Sequence, residues 1–215
     1  METLIRFYSS EYLHFTDGQL TNIPKLCTAP KLRDIRFAYH PLASITPEAF
    51  SHLPTLESLD LAGNGKNQTL RSLDTNTLSL TATNFSLLSM EYFESLESFS
   101  PGFISNIQPH TSIDFLGDNI SVIREDVFRE VFEVIASASD TGATPGHVNF
   151  GRPTWQKPPG NPLLCDCSIK WIVDEPRLLG VIDWSDAVYN RPTCRDGTLV
   201  ADLDPSILDA LCPQL

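Results

Sequence analysis

Five cysteines carry most of the chemistry in this sequence of 215 residues. Four of them, Cys165, Cys167, Cys194 and Cys212, fall in the last quarter of the chain, whereas Cys27 stands alone. The four are spaced as C-x-C, then 26 intervening residues, then 17. Two disulfides in any of three pairings could use them, and so could a four-thiolate metal site. Zinc sites usually separate their first pair by two to four residues, so the C-x-C spacing favours bridges. Cys27 reads as a buried free thiol, the alternative being a bridge to a partner or to an N-terminal cap cysteine.

Bridges require an oxidising compartment. The start, Met1 to Phe7, has no basic opening, no apolar stretch and no small-residue cleavage site. The expectation is therefore an internal piece or truncated gene model of an extracellular, secreted protein, against the alternative of a cytosolic protein with reduced thiols. Sequons at Asn67, Asn84 and Asn119 favour the secreted reading and are candidate glycosylation sites.

Other chemistry is sparse. The five histidines, His14, His40, His52, His110 and His147, are scattered. No zinc-protease, nucleophile-elbow, phosphate-loop or dinucleotide-binding motif is present, so neither catalytic residues nor a cofactor nor a metal site are expected. The acidic runs Asp202 to Asp204 and Asp183 to Asp186 lack calcium-loop spacing and read as solvated acids. A formal net charge of −12 argues against nucleic acid and anionic membrane surfaces as partners. No apolar run approaches the ~18 residues of a membrane span, so membrane insertion of this chain is not expected.

The elements that position these residues form a repeat. Apolar residues stand at Leu32, Ile35, Phe37, Leu42, Ile45, Phe50 and Leu53, and the pattern restarts at Leu56, Leu59, Leu61 and Asn64, a step of 24 residues. This is the leucine-rich repeat signature, an inward-facing strand followed by a looser return. Later copies read Leu78, Leu80, Phe85, Leu88, Phe93, Leu96 and Ile113, Phe115, Ile120, Ile123, Phe128, Val131, with Thr83 and Asp118 at the asparagine place. An early copy holds Leu13, Phe15, Leu20 and Ile23 with Gly18 at that place, and the last thins to Val148 and Phe150. A helix would keep period 3.6 throughout, whereas here period 2 alternates with a longer segment. The expected fold is an α/β leucine-rich repeat solenoid with a parallel concave sheet and an irregular convex side. Residues 1–150 form the repeats, and residues 151–215 a Pro-rich approach and a cysteine-rich cap.

The run Asn161-Pro162-Leu163-Leu164-Cys165-Asp166-Cys167, with Ile169, Trp171 and Ile172 and then Cys194 and Cys212, resembles the C-terminal flanking domain of extracellular leucine-rich repeat proteins. That resemblance implies the pairs Cys165–Cys194 and Cys167–Cys212, with Trp171 packed on a short cap helix. Within that family, Cys165 to Val173, Asp174-Glu175-Pro176, Thr193 to Thr198 and Leu203-Asp204-Pro205 are similar to the non-catalytic subunit of oplophorus-luciferin 2-monooxygenase and the crustacean proteins like it. The similarity implies a support role beside a small separate catalytic partner.

Binding is expected on the concave face, at the outward strand positions Tyr12, His14, Arg33, Arg36, Tyr39, Glu57, Asp60, Thr77, Ser79 and Asp114. Arg36 and Tyr39 are the first choices as anchors, because Arg and Tyr are enriched at interface hot spots. The expected function is a secreted, non-enzymatic protein that engages a protein ligand or partner subunit. The alternatives are a support subunit for a small enzyme and the ectodomain fragment of a receptor or adhesion protein.

Overall fold

The computed structural model describes residues 9–63, 69–151, 161–182 and 191–212. Strands β1 (Tyr12–Thr16), β2 (Asn22–Ile23), β3 (Asp34–Ala38), β4 (Ser44–Ile45), β5 (Ser58–Ala62), β6 (Ser72–Leu73), β7 (Leu78–Ser79), β8 (Leu87–Glu91), β9 (Ser98–Phe99), β10 (Ile104–Ser105) and β11 (Ser112–Leu116) precede helix α1 (Glu125–Ala136) and strand β12 (Val148–Asn149). The cap contributes α2 (Lys170–Val173), α3 (Pro176–Ile182) and α4 (Pro205–Leu211).

One long parallel sheet runs β1-β3-β5-β8-β11-β12. Its register aligns Leu13, Ile35, Leu59, Leu88, Ile113 and Val148 in one inward row, and Phe15, Phe37, Leu61, Met90 and Phe115 in the next. No repeat can bury such a row alone, and stacking makes the core continuous. Three short parallel pairs, β2-β4, β6-β9 and β7-β10, form the return side. The chain is a leucine-rich repeat solenoid.

Two turn columns recur at the repeat period. After the long-sheet strands, Asp17, Tyr39, Tyr92 and Gly117 take positive φ, and on the return side Glu48, Asn76 and Gly102 do so. Backbone bonds link these columns from coil to coil: Glu48 N donates to Asn76 O and Asn76 N to Gly102 O, each at 2.8 Å. The side chain at the asparagine place adds a third link. Leu20 N donates to His40 Nδ1 at 3.2 Å while His40 Nε2 reaches Phe15 O at 3.1 Å. Phe93 N donates to Asp118, and Ile120 N to Asn161 Oδ1 at 3.0 Å. Histidine, aspartate and a distant asparagine thus do the work expected of a repeated asparagine. Asn64, which the repeat pattern puts there, lies outside the described residues.

The repeat lengths are uneven. Leu13 to Ile35 spans 22 residues and Ile35 to Leu59 spans 24, but Leu59 to Leu88 spans 29. The third copy is therefore shifted from the sequence reading: Leu78 lies in β7, paired with β10, and the long-sheet strand is β8. Consequently Phe93, not Thr83, occupies the asparagine place of that coil. The final return is a helix rather than an irregular loop. In α1, Val127, Phe128, Val131, Phe132, Ile135 and Ala136 are buried, an apolar stripe at helical spacing, with Glu125 and Asp126 in the first turn complementing its dipole.

Phenylalanine fills the core ahead of the cap. Phe99, Phe103, Phe115, Phe128 and Phe150 pack with ring centroids 4.9 to 6.4 Å apart, mostly edge to face. Each fully buried ring contributes roughly 2–3 kcal/mol of transfer free energy.

Candidate protein-binding face and its cap

Because side chains alternate along a strand, the residues between the inward rows face outward together. Register places His14, Arg36, Asp60, Ser89, Asp114 and Asn149 in one transverse row, and Thr16, Ala38, Ala62, Glu91 and Leu116 in another. Tyr12, Asp34, Ser58, Leu87 and Ser112 form a third. Arg33 and Glu57 immediately precede β3 and β5, and Tyr39 follows β3. Eight of the ten sequence-predicted positions therefore gather on or beside this face.

Thr77 and Ser79 do not. They belong to β7 and its approach on the return side, where Thr77 is buried with its hydroxyl donating to Asp74 O at 2.6 Å, and Ser79 Oγ accepts from Ser105 Oγ at 3.3 Å. The alternation Thr77-Leu78-Ser79-Leu80 imitates a long-sheet strand because both apolar residues are indeed buried, but in the other wall of the coil.

The face is laced with cross-strand ion pairs. Asp34 pairs with His14, Arg33 with Glu57 at 2.8 Å, and Arg36 with Asp60 at 3.2 Å. At the far end His147 Nε2 lies 3.6 Å from Asp114, and Ser112 Oγ lies 3.1 Å from His147 Nδ1. Ser112, His147 and Asp114 have the types of a nucleophilic triad, and their separation of 35 residues hid them from motif inspection. However, Ser112 N donates to Ser86 O and Ile113 N to His147 O, so neighbouring amides are used in coil-to-coil bonding rather than aimed at an oxyanion. The cluster clips β12 to β11.

Glu91 differs from the other charges. Its carboxylate accepts from Ser89 Oγ at 3.4 Å. Partial burial raises its carboxyl above the ordinary value, with Asp114 and Asp60 adding repulsion. Burial likewise raises Asp60, against the opposing attraction of Arg36. Below the face Asp118 is 5% exposed. Burial pushes its carboxyl well up despite the Phe93 N–H. Aromatic exposure is concentrated at the other end, with Tyr12 at 63% and Phe15 and Tyr39 each at 41%.

The cap seals the opposite end of the array. Disulfides join Cys165 to Cys194 and Cys167 to Cys212, as the family resemblance implies. Asp166 caps the first cap turn by accepting Ser168 N at 2.8 Å, and Asp204 caps α4 in the same way through Ser206 N. Trp171 is buried, donates through Nε1 to Ile123 O at 3.1 Å, and meets Phe132 edge-on at 5.2 Å. Arg129 of α1 stacks over the indole at 5.2 Å and pairs with Glu125, Glu133 and Glu175. An open groove of about 1020 Å³ lies at this junction. Its cations Arg124, Arg129 and Lys170 all hold carboxylates, so the groove is an ionic seam between array and cap.

Cys27 is half-buried and forms no disulfide among the described residues. Asn84 and Asn119 are exposed, at turns before β8 and after β11, whereas Asn67 lies outside the described residues. The Pro-rich approach from Arg152 to Gly160 and the acidic run from Asp183 to Asp186 also lie outside them. Asp202 is exposed in a short turn and Asp204 serves as the cap just described. Among the described residues, no group of three or more His, Cys, Asp or Glu side chains is placed to hold a metal ion. None of the described helices is long and apolar enough to cross a membrane.

No protein-family model matches the chain. In sequence it is 25% identical over 190 residues to the Oplophorus-luciferin 2-monooxygenase non-catalytic subunit of Oplophorus gracilirostris, a match covering 86% of this chain and 44% of that protein. The chain thus spans less than half the length of this relative. Among solved structures, human 5T4 (Wnt-activated inhibitory factor 1, trophoblast glycoprotein) aligns at 15% identity over 91% of this chain and 86% of that one, with a TM-score of 0.27. The register, turn columns and bridges established above, together with the sequence match, identify the chain as a leucine-rich repeat solenoid with a two-disulfide C-terminal cap, similar to that non-catalytic subunit.

Proposed function

We propose that this chain is a secreted, non-enzymatic protein that binds another protein through the outward face of its long sheet, the concave side of the solenoid. The observation that carries the reading is the face itself. Parallel strands set Tyr12, His14, Arg33, Arg36, Glu57, Asp60 and Asp114 in transverse rows beside Tyr39, a surface with aromatic and charged groups on a rigid support. The two bridges and the exposed sequons at Asn84 and Asn119 support an oxidising, extracellular setting. A net charge of −12 speaks against nucleic acid.

The test is an extracellular interaction screen with the purified chain, repeated with Arg36→Glu and Tyr39→Ala. A protein ligand lost in the double variant is the expected result. Failure to find any ligand, or undiminished binding by the double variant, contradicts the reading.

A second reading has its own support in the similarity to a non-catalytic subunit. On that reading the protein partner is a small enzyme that the solenoid stabilises. Co-purification from native tissue separates the two: an enzyme travelling with the chain supports the subunit role, and recovery of the chain alone removes it.

A further inference from the structure

We infer that the outer edge of β1 takes an extended segment of a partner protein as an added strand, one with apolar side chains at alternate positions between lysines or arginines. This goes beyond docking on the outward face, because it engages the backbone of the first strand rather than the side chains of the sheet.

Successive residues of a strand turn their backbone groups to opposite edges. Glu11 O accepts from Asp34 N, and Asp17 N donates to Ala38 O, so the odd-numbered residues of this stretch face β3. The N–H groups of Tyr12, His14 and Thr16 and the carbonyls of His14 and Thr16 therefore point away from the sheet, while Tyr12 O accepts from Ser10 Oγ at 2.6 Å. In β3 the equivalent groups, Asp34 N and Ala38 O, are the ones that bond to the preceding coil. β1 ends the long sheet, and among the described residues nothing pairs with its outer edge. Exposed edges are commonly blunted by lysine or proline, and Tyr12–Thr16 holds neither.

The side chains around the edge define its occupant. Phe15 stacks on Phe37, yet it is 41% exposed where Phe37 is 3% exposed. Leu20 and Leu26 of the same coil are half-buried, whereas Leu42 and Phe50 of the next are fully buried. An added strand would turn the residues beside Leu13 and Phe15 inward over this half-covered layer, so those residues must be apolar. Charge sets the flanks. Glu11 and Asp17, at the two ends of β1, are exposed, and neither forms an ion pair among the described residues. Basic residues at the ends of the incoming segment complement both. A second copy of this chain would instead bring the same acids and a net charge of −12 to an acidic edge. The occupant is a segment of another protein, held by main-chain bonds and selected by its alternate side chains.

The probe is the peptide Lys-Thr-Val-Thr-Val-Thr-Lys with blocked ends, titrated by amide NMR against the whole chain. A copy with N-methylated threonines is the control for main-chain bonding. The Tyr12, His14 and Thr16 amides should exchange with solvent faster than those of Leu13 and Phe15, and should slow when the peptide binds. Thr16→Pro removes an N–H that faces the free edge, a place where proline is tolerated, and should weaken binding about tenfold, the scale of a lost backbone hydrogen bond. Glu11→Lys should weaken it severalfold and Glu130→Lys, an equal reversal on α1, less than about twofold, as expected of exposed charges. Circular dichroism of each variant establishes that the fold is kept. Unchanged binding by both Thr16→Pro and Glu11→Lys would overturn the inference, as would equal binding of the N-methylated peptide. Protection of the three edge amides in the chain alone would mean that the edge is already covered and would overturn it too. A dimer that Thr16→Pro makes monomeric in sedimentation would assign the edge to a second copy instead. The screened ligand separates this inference from docking on the face: if Arg36→Glu abolishes its binding while Thr16→Pro leaves it intact, face docking stands and strand addition falls.

Discussion

Asp118 accepts the backbone N–H of Phe93 at 2.7 Å, one coil back along the solenoid. The link replaces the asparagine of the repeat with a carboxylate whose second oxygen is buried without a hydrogen-bond partner among the described residues. The aspartate is thus in the right place for the ladder, but its burial disfavours the charged form of the carboxyl.

The first prediction concerns pH. Burial raises Asp118 well above its ordinary value of 3.8, and Asp60 and Glu91 are raised as well. A carboxyl raised by folding binds its proton more tightly in the folded chain, so its contribution is fully present below the unfolded value and is lost as pH rises through the folded one. Asp118→Asn should therefore melt higher than the parent at pH 7, by the ~2–4 °C that about 1 kcal/mol shifts a chain of this size. The gap should shrink as pH falls through the raised window toward 3.8. Thermal melts from pH 7 to pH 4 check this, and an equal or lower melting point for the variant at pH 7 would refute it.

Non-reducing peptide mapping should recover the pairs Cys165–Cys194 and Cys167–Cys212. Replacing Cys167 and Cys212 together by alanine should cost about 2–5 kcal/mol, because the bridge ties α4 back to the start of the cap. Free thiols at these four positions in the native protein would contradict both the pairing and the secreted reading.

Trp171→Ala should be among the most damaging single changes, at about 3–5 kcal/mol. It removes the buried ring against Phe132, the Arg129 stack and the donor to Ile123 O in one step. Trp171→Phe keeps part of the packing and should cost less. Denaturant unfolding of both variants orders them, and equal costs would mean that packing loss is not what the alanine change measures.

Gly146→Ala should also destabilise the chain, although glycine here precedes only a short strand. An added Cβ would lie 1.9 Å from Thr111 O, a backbone atom that cannot step aside. Gly180→Ala, in α3 with nothing within 4 Å of the new Cβ, is the matched control and should be neutral or mildly stabilising, by up to about 1 kcal/mol. Comparable losses for both would show that steric contact at Gly146 is not the cause.

By itself the sequence determined the kind of object this is. Leu32-x-x-Ile35-x-Phe37 and Leu56-x-x-Leu59-x-Leu61 state the inward rows directly, because period-2 alternation is a local property of a strand. The cap was legible through its motif, and the same alternation puts Arg36 and Asp60 at facing positions between the inward rows of β3 and β5.

The tertiary structure decided what local pattern leaves degenerate. Leu78-x-Leu80 and Leu88-x-Met90 are both buried alternations, and only hydrogen bonding to neighbouring coils assigns the first to the return wall and the second to the long sheet. That choice moved Thr77 and Ser79 off the candidate face and brought Ser89 and Glu91 onto it. The ladder is likewise a product of packing: His40, Asp118 and Asn161 are different residue types, and what makes them equivalent is an orphan backbone N–H one coil back that each must satisfy. Long-range neighbours such as Ser112 and His147 meet because stacking brings coils together, a contact for which no sequence spacing gives a signal.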